Sequence, residues 1–337
     1  MATIGNTVLT LADWAKRRDP NGKTADIVEL LSQTNEVLTD MLWKEGNLAT
    51  GEQVTQRTGL PTVYYRLINQ GVAKSKSTTA QIVEACAILE ARSEVDVDLA
   101  NLEADVSGFR LSEATAFTEG MNQQMATSLF YGNSTLNPEQ FMGLAPRYSS
   151  LSAANGQNIV AGGGSGSDNS SVWLIVWGAQ TCYGVFPKGS MAGLLHEDLG
   201  IGDAFDGSNN RFRAYMDRWQ WKPGVALKDW RYAVRIANID ISALVAESSA
   251  ANLIKLMIKA VHRIPTMGMG RPVFYMNRSC AQMLDIQRFN VMSGTTGSTI
   301  AGGSISYDQV DGRWVPTFRG IPIRIVDALT EAEATVS

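Results

Sequence analysis

The chain has 337 residues, a mass of 36.5 kDa and a formal net charge of −4, from 29 Lys and Arg against 33 Asp and Glu. That length holds two lobes or one elaborated domain, and the charge balance argues against broad wrapping by nucleic acid. Charged residues make up 18% of the chain, below the roughly 25% of ordinary globular proteins; this fits either a subunit with many interfaces or a monomer clothed in Ser, Thr and Asn.

No apolar run approaches the ~18 residues of a spanning helix, and residues 1–20 lack the continuous apolar stretch of a signal peptide. Cys86, Cys182 and Cys280 are odd in number, far apart and without metal or redox spacing. They read as buried thiols of a protein made in a reducing cytosol.

The first twenty residues run into a polar, turn-rich stretch (Lys16 to Gly22) and read as an arm. Residues 26–42 have broadly helical apolar spacing, interrupted at Thr34 and Asn35. Over 51–79 the apolar residues are sparse and β-prone (Val63, Tyr64, Tyr65, Leu67, Ile68), with turn residues on both sides. This predicts a two-stranded ribbon with too few apolar residues for a core of its own. Its charges are Arg57, Arg66, Lys74 and Lys76 against Glu52, whereas 84–105 holds seven acids against Arg92 alone. Such opposition suits assembly through charge complementarity, and ordinary surface patchiness is the bland alternative.

A helix is expected over 113–130, capped by Ser112, stopped by Gly132, and lined on one face by Ala114, Phe117, Met121, Met125 and Leu129. Residues 161–171 read as a loop. Strands are expected at 172–177, at 232–236 (half-buried, from its alternation), at 272–276 and at 319–326, where Pro322 suits an edge or a bulge. Between them, helices are expected over 252–263, stopped by Pro265, and over 278–287, capped by Asn277.

Catalytic chemistry is poorly served. His262 is explained by a helix end, where positive charge suits the dipole. His196, Glu197 and Asp198 are adjacent and lack His-Glu-x-x-His spacing. The glycine clusters at 162–166 and 268–270 lack a phosphate-loop ending, no Gly-x-Ser-x-Gly elbow exists, and Cys182 has no base nearby in sequence. No catalytic residue, metal site or cofactor is therefore expected. Residues 211–235 interleave seven basic residues with Phe212, Tyr215, Trp219, Trp221, Trp230 and Tyr232. An interface rich in hot-spot residue types is preferred there to a base-stacking surface.

Several stretches carry a resemblance: Arg57 to Pro61, Arg66 to Val72, Phe130 to Asn133, Pro138 to Leu144, and Gly320 to Arg324. In this order and spacing they resemble the major capsid proteins of short-tailed bacteriophages. The resemblance implies an α+β, Hong Kong 97-like fold. Its parts would be an N-terminal arm at 1–49, an extended loop at 50–80, a peripheral domain at 81–144 with a spine helix at 112–130, an axial domain at 145–310, and a returning C-terminal strand at 311–337. It implies a structural subunit, not an enzyme, that self-assembles as pentamers and hexamers into an icosahedral shell around double-stranded DNA. Implied partners are a portal, a separate scaffolding protein, a cementing protein where one exists, and packaged DNA contacted non-specifically. No membrane is implied, and the location is the virion capsid, assembled in the host bacterial cytoplasm. Candidate contacts between subunits are Arg57, Arg66, Lys74, Lys76, Arg218, Trp219, Trp221 and Trp230. Two further expectations concern covalent change: no proteolytic removal of a leading scaffold, and no cross-link through Lys74 or Lys76, since no acceptor signature accompanies them. Alternatives are a minor shell or tail component and, further off, a Cys- or metal-dependent hydrolase.

Overall fold

A computed structural model describes residues 9–11, 13, 32–102, 105–206, 208–247, 251–293, 305–310 and 313–337. The polar turn at 16–22 and the start of the helical segment at 26–42 lie outside them. The chain sorts into two units, each discontinuous in sequence. Unit 1 takes 1–34, 88–126 and 191–222, and unit 2 takes 35–87, 127–190 and 223–337.

In chain order the first half contains α1 (Val37–Asp40), β1 (Trp43–Glu45), β2 (Gly51–Gly59), β3 (Thr78–Ala85), β4 (Leu89–Asp96), α2 (Val97–Ala100) and α3 (Val106–Tyr131). Next come β5 (Ile159–Ala161), β6 (Asn169–Trp177), β7 (Cys182–Phe186), β8 (Leu195–Phe205), β9 (Arg211–Trp221) and β10 (Gly224–Leu227). The remainder holds β11 (Ala233–Asp240), α4 (Ile241–Val245), α5 (Leu253–Val261), β12 (Arg271–Met276), α6 (Arg278–Ser293), β13 (Ile305–Val310), β14 (Arg313–Phe318) and β15 (Ile321–Ile325).

The long helix α3 begins at Val106, earlier than expected, because Asp105 caps it and Ser112 does not. Gly108 N–H donates to Asp105 Oδ1 at 3.0 Å, while the Ser112 hydroxyl sits inside the helix and donates to Phe109 O at 2.8 Å. Its 26 residues span about 39 Å. Met121, Met125 and Leu129 are buried as expected, joined by Ala126 and Phe130, whereas Ala114 and Phe117 are half-buried. Gly132 ends the helix where a Cβ would stand 2.5 Å from Ser128 O and 2.6 Å from Phe141 O, so no larger residue fits.

Unit 1 contains a three-stranded antiparallel sheet in the order β4-β9-β8. The register sets Asp198 directly opposite Asp217, a like-charge pair that would repel. Arg110 on α3 resolves it, with Nη2 lying 3.0 Å from Asp198 Oδ1 and 2.9 Å from Asp217 Oδ1. This ion-pair triad and the small core of Val95, Ala100 and Phe109 hold the 191–222 hairpin to the helix. The 191–222 hairpin, expected within the 145–310 segment, belongs to unit 1. Its place follows from a ladder with β4 more than a hundred residues away, which local pattern does not reveal.

Unit 2 is built on a ten-stranded mixed sheet along β1-β7-β6-β12-β15-β14-β13, with β10 on β7, β11 on β6 and β5 on β11. On one face Val172, Leu174, Val176, Val234, Ile236 and Phe274 pack in one core with Leu256, Met257 and Ala260 of α5 and Cys280, Met283 and Leu284 of α6. On the other, Trp173 packs against Phe130 (centroids 6.0 Å) and Tyr148 (5.8 Å). With both faces covered, β11 is buried at nearly every position, which corrects the half-buried expectation for 232–236. For the same reason the loop expected at 161–171 is shortened: Asn169, Ser170 and Ser171 are buried in β6.

The helices α5 and α6 start where expected. Asn252 accepts from Lys255 N–H at 2.9 Å, and Asn277 from Cys280 N–H at 2.8 Å. The strand at 319–326 contracts to β15 because Arg319 and Gly320 form the turn that leads into it, both with positive φ. β15 lies between β12 and β14, so Pro322 is on an interior strand, contrary to the edge or bulge expected. It is accommodated before the parallel ladder with β12 begins at Ile323.

Candidate functional site

The ribbon expected at 51–79 exists, with longer strands and a different end. β2 and β3 pair antiparallel from Gly51↔Ala85 to Gly59↔Thr78. Residues 60–77 form no strand, so the β-prone cluster Val63 to Ile68 is loop. Within it Gln70 N–H donates to Leu67 O at 3.2 Å, Asn69 takes φ +67°, and Ser75 Oγ donates to Thr62 O at 2.8 Å.

Its base is clamped hard. Glu84 receives a two-pronged pair from Arg147, Nη1 and Nη2 each at 2.6 Å, and the Glu84 side chain is 6% exposed. Such fork geometry is the strong form of a charged hydrogen bond. Tyr183 donates to the buried Glu52 at 2.9 Å, with Lys44 3.5 Å from the same oxygen. Gln56 Nε2 donates to Lys228 O at 2.7 Å. Gly51 has φ +153°, and a Cβ there would lie 2.0 Å from Glu84 O, so glycine lets the two strands meet.

Beyond the clamp the chemistry inverts. Leu60 is 80% exposed, Val63 91% and Ile68 87%, and Tyr65 and Leu67 are also exposed. Full burial of such a side chain is worth about 1.5–3 kcal/mol, and folding of this subunit recovers little of it. Arg57, Arg66, Lys74 and Lys76 belong to the same exposed segment, and no acid occurs from Arg57 to Val83.

The acids of 84–105 are largely committed at home. Besides Glu84, Glu90 receives Arg218 at 2.7 Å and Arg92 at 2.9 Å, hydrogen bonds that hold its carboxyl down at about 2. Asp96 caps α2 and Asp105 caps α3. The side chains of Glu94 and Asp98 have no hydrogen bond or ion pair among the described residues.

The basic-aromatic stretch 211–235 divides between the two units, and its charges are mostly spent inside the chain. Arg218 pairs with Glu90 and Glu197, Arg211 with Asp203, Arg231 with Asp229, and buried Arg235 with Glu333. Trp219 is 3% exposed, stacked between Phe117 (4.9 Å, 6°) and His196 (5.1 Å, 21°). It is a core residue of unit 1, which corrects the expectation that it offers itself to a neighbour. Trp221 is half-buried. Trp230 is also half-buried, and its carbonyl accepts from Tyr148 Oη at 2.5 Å.

His196 Nε2 donates to Asp217 Oδ1 at 3.0 Å, so it joins the Arg110 triad. Cys182 is fully buried, and burial pushes its thiol up to about 12; Cys280 behaves alike. Cys86, half-buried, is pushed up to about 11 by burial and by Glu52. None of these thiols is poised as a thiolate at neutral pH. Among the described residues no three His, Cys, Asp or Glu side chains gather as metal ligands.

Comparisons with known proteins bear on the whole chain. The model of a family described as major capsid protein GP7 matches residues 19–337. The solved structure of bacteriophage Epsilon15 gives a matching chain at 33% identity. It covers 100% of this chain and 99% of that one, with a TM-score of 0.76. Weaker likenesses include the bacteriophage JBD30 capsid (10% identity, 96% and 99% covered, TM-score 0.49). The SrpI encapsulin complex of Synechococcus elongatus is another (12% identity, 68% and 96% covered, TM-score 0.40). No curated protein gives a match.

Proposed function

Because this chain belongs to the major capsid protein GP7 family, we propose that its acid-free loop at 60–77 is the element with which each subunit grips its neighbours. The chain is a structural subunit of a tailed-phage capsid shell, with an α+β, Hong Kong 97-like fold. One observation carries the reading of the loop: a firmly clamped ribbon base holds out a segment whose large apolar side chains have no cover in their own subunit. The complementary surface belongs to a second copy, because closed lattices repeat one contact at every subunit.

The remaining assignments follow from the same reading. Residues 1–49 serve as the arm and 50–80 as the extended loop. The peripheral body is 81–144 with 191–222 added, the axial body is the rest up to 310, and 311–337 returns to the main body. Copies gather as pentamers and hexamers around the packaged DNA. A portal and a separate scaffolding protein take part, assembly occurs in the host cytoplasm, and the shell subunit does no catalysis. The buried, raised thiols and the His196–Asp217 pair tied to Arg110 support that last point.

Arg66→Glu tests the loop's role. The variant should fold like the parent by circular dichroism yet give few or misdirected shells by electron microscopy. A Glu94→Lys or Asp98→Lys change should partly restore them, since these two acids lack partners at home. Exposed pairs contribute only about 0–1 kcal/mol each, but lattice repetition and exclusion of wrong registers multiply their effect. Normal shells from Arg66→Glu alone at physiological salt would reject the charge role.

A further inference from the structure

The helices over the ten-stranded sheet lie in a segment with an excess of positive charge. Between residues 241 and 293 stand six Lys and Arg and only two acids, Glu247 and Asp285. That segment therefore has a net charge of +4, which leaves −8 for the rest of a chain whose total is −4. The excess is concentrated on α5. Leu253, Leu256, Met257 and Ala260 point into the core, while Lys255, Lys259, His262 and Arg263 are exposed. At 1.5 Å per residue the stripe runs about 12 Å along the helix.

Two bland explanations fall short. Cations at a helix C-terminus offset its dipole, which accounts for Lys259, His262 and Arg263. Lys255 is in the first turn, where the dipole disfavours it, and no acid occurs anywhere on the helix. An ordinary solvated face would mix both signs, as the exposed face of the β4-β9-β8 sheet does with Glu90, Arg92, Glu197 and Arg218. Beside the stripe, a cleft of about 480 Å³ is lined by Ile159, Val160 and Ala161 of β5 and by Ile258, Lys259, His262 and Arg263. The wall that β5 brings is equally free of negative charge, since residues 140–167 contain no acid and 149–167 are mostly Ser, Asn, Gln, Gly and Ala.

We infer that this helical layer faces the shell's interior, and that Lys255, Lys259, His262 and Arg263 hold the phosphate backbone of packaged duplex DNA. The inference rests on the capsid reading and names the surface that meets the cargo. A row of cations with small polar neighbours fits a partner whose charge is uniform and whose sequence varies. Phosphates supply about one charge per 1.7 Å of duplex, so contact needs no base-specific register. Arg218, Arg231 and Arg235 of the basic-aromatic stretch, each paired with an acid, are unsuited to that task.

The test uses full-length subunits released from shells and random-sequence duplex DNA. K255Q/K259Q/R263Q should lower duplex affinity by about tenfold or more near 50 mM salt. It should also reduce the slope of log affinity against log salt by about 2–3, from roughly 0.9 per phosphate contact. K255R/K259R/R263K should keep both values. Single K255Q, with a slope lower by about 0.9, serves if the triple variant misfolds. Parental binding by K255Q/K259Q/R263Q would overturn the inference. So would normal duplex binding with failure to form empty shells, which would assign the stripe to an acidic face of a second copy. Shell formation by the parent chain is scored separately: its failure would count against the capsid reading, while duplex binding reports on the stripe alone.

Discussion

Two regions of unit 2 treat their side chains in opposite ways. At the C-terminal strap, polar groups are buried and nearly every one is partnered. Glu333 receives Arg235 at 2.8 Å, Tyr131 Oη at 2.5 Å and the Ser171 hydroxyl, while Arg235 also donates to Tyr148 O at 2.8 Å. Asn238 exchanges two 2.8 Å bonds with the backbone of Val336. In the loop at 60–77, apolar groups are exposed and few are covered. The first region is closed on itself, so its stability belongs to the subunit. The second leaves large apolar side chains to solvent, and under the proposed reading its contribution appears only when another surface arrives. A subunit that must fold first and assemble later needs both kinds of region, kept apart by the Glu84–Arg147 clamp.

The largest expected effect lies in the closed region. Arg235→Ala leaves the buried Glu333 without its cation, and should destabilise the isolated subunit by about 3–5 kcal/mol in chemical denaturation. A loss below about 1 kcal/mol would show that the strap is not part of the core. At the boundary, Glu84→Ala should cost about 2–3 kcal/mol and speed tryptic cleavage at Arg57 and Arg66. Unchanged cleavage would mean that the ribbon base is held by its strand pairing alone.

Alkali provides a third way to separate the regions. Cys182 and Cys280 have folded values raised from 9.0 to about 12 by burial. A raised value means that their contribution is complete below the unfolded value and fades as pH climbs from about 9 to about 12. Stability of the isolated subunit should therefore fall across that window, and Cys182→Ala should flatten the fall. An equally steep fall in that variant would remove Cys182 from the account. The smallest effect is expected of Lys74→Ala with Lys76→Ala. Boiled shells of parent and variant alike should run as monomers on a denaturing gel, and a ladder that the variant abolishes would reveal a covalent link.

Much of the closed region was legible in the sequence. The stop Pro265 and the cap Asn277 marked their helices, and the run Val172 to Trp177 named a central strand. What escaped notice was long-range. Asp105 looked like one more acid in an acidic run until the helix behind it made it a cap. Trp219 looked like an interface residue because its burial depends on Phe117 and His196, which reach it only through strand pairing and the helix. The β8-β9 hairpin has few apolar residues at regular spacing, since β8 is almost wholly exposed and its order comes from backbone pairing. The unfinished loop was visible as basic and poor in core, but its apolar residues suggested strands. Nothing in the local pattern told a strand that lacks a partner from a loop awaiting a neighbour.

The central claim is that the loop adds nothing to the subunit and much to the shell. Both quantities can be measured on one double variant, Val63→Ser with Ile68→Ser. The account predicts an unfolding free energy within about 0.5 kcal/mol of the parent, together with a severe loss of closed shells counted by electron microscopy. A variant that unfolds easily, or one that builds shells at the parental yield, would contradict it.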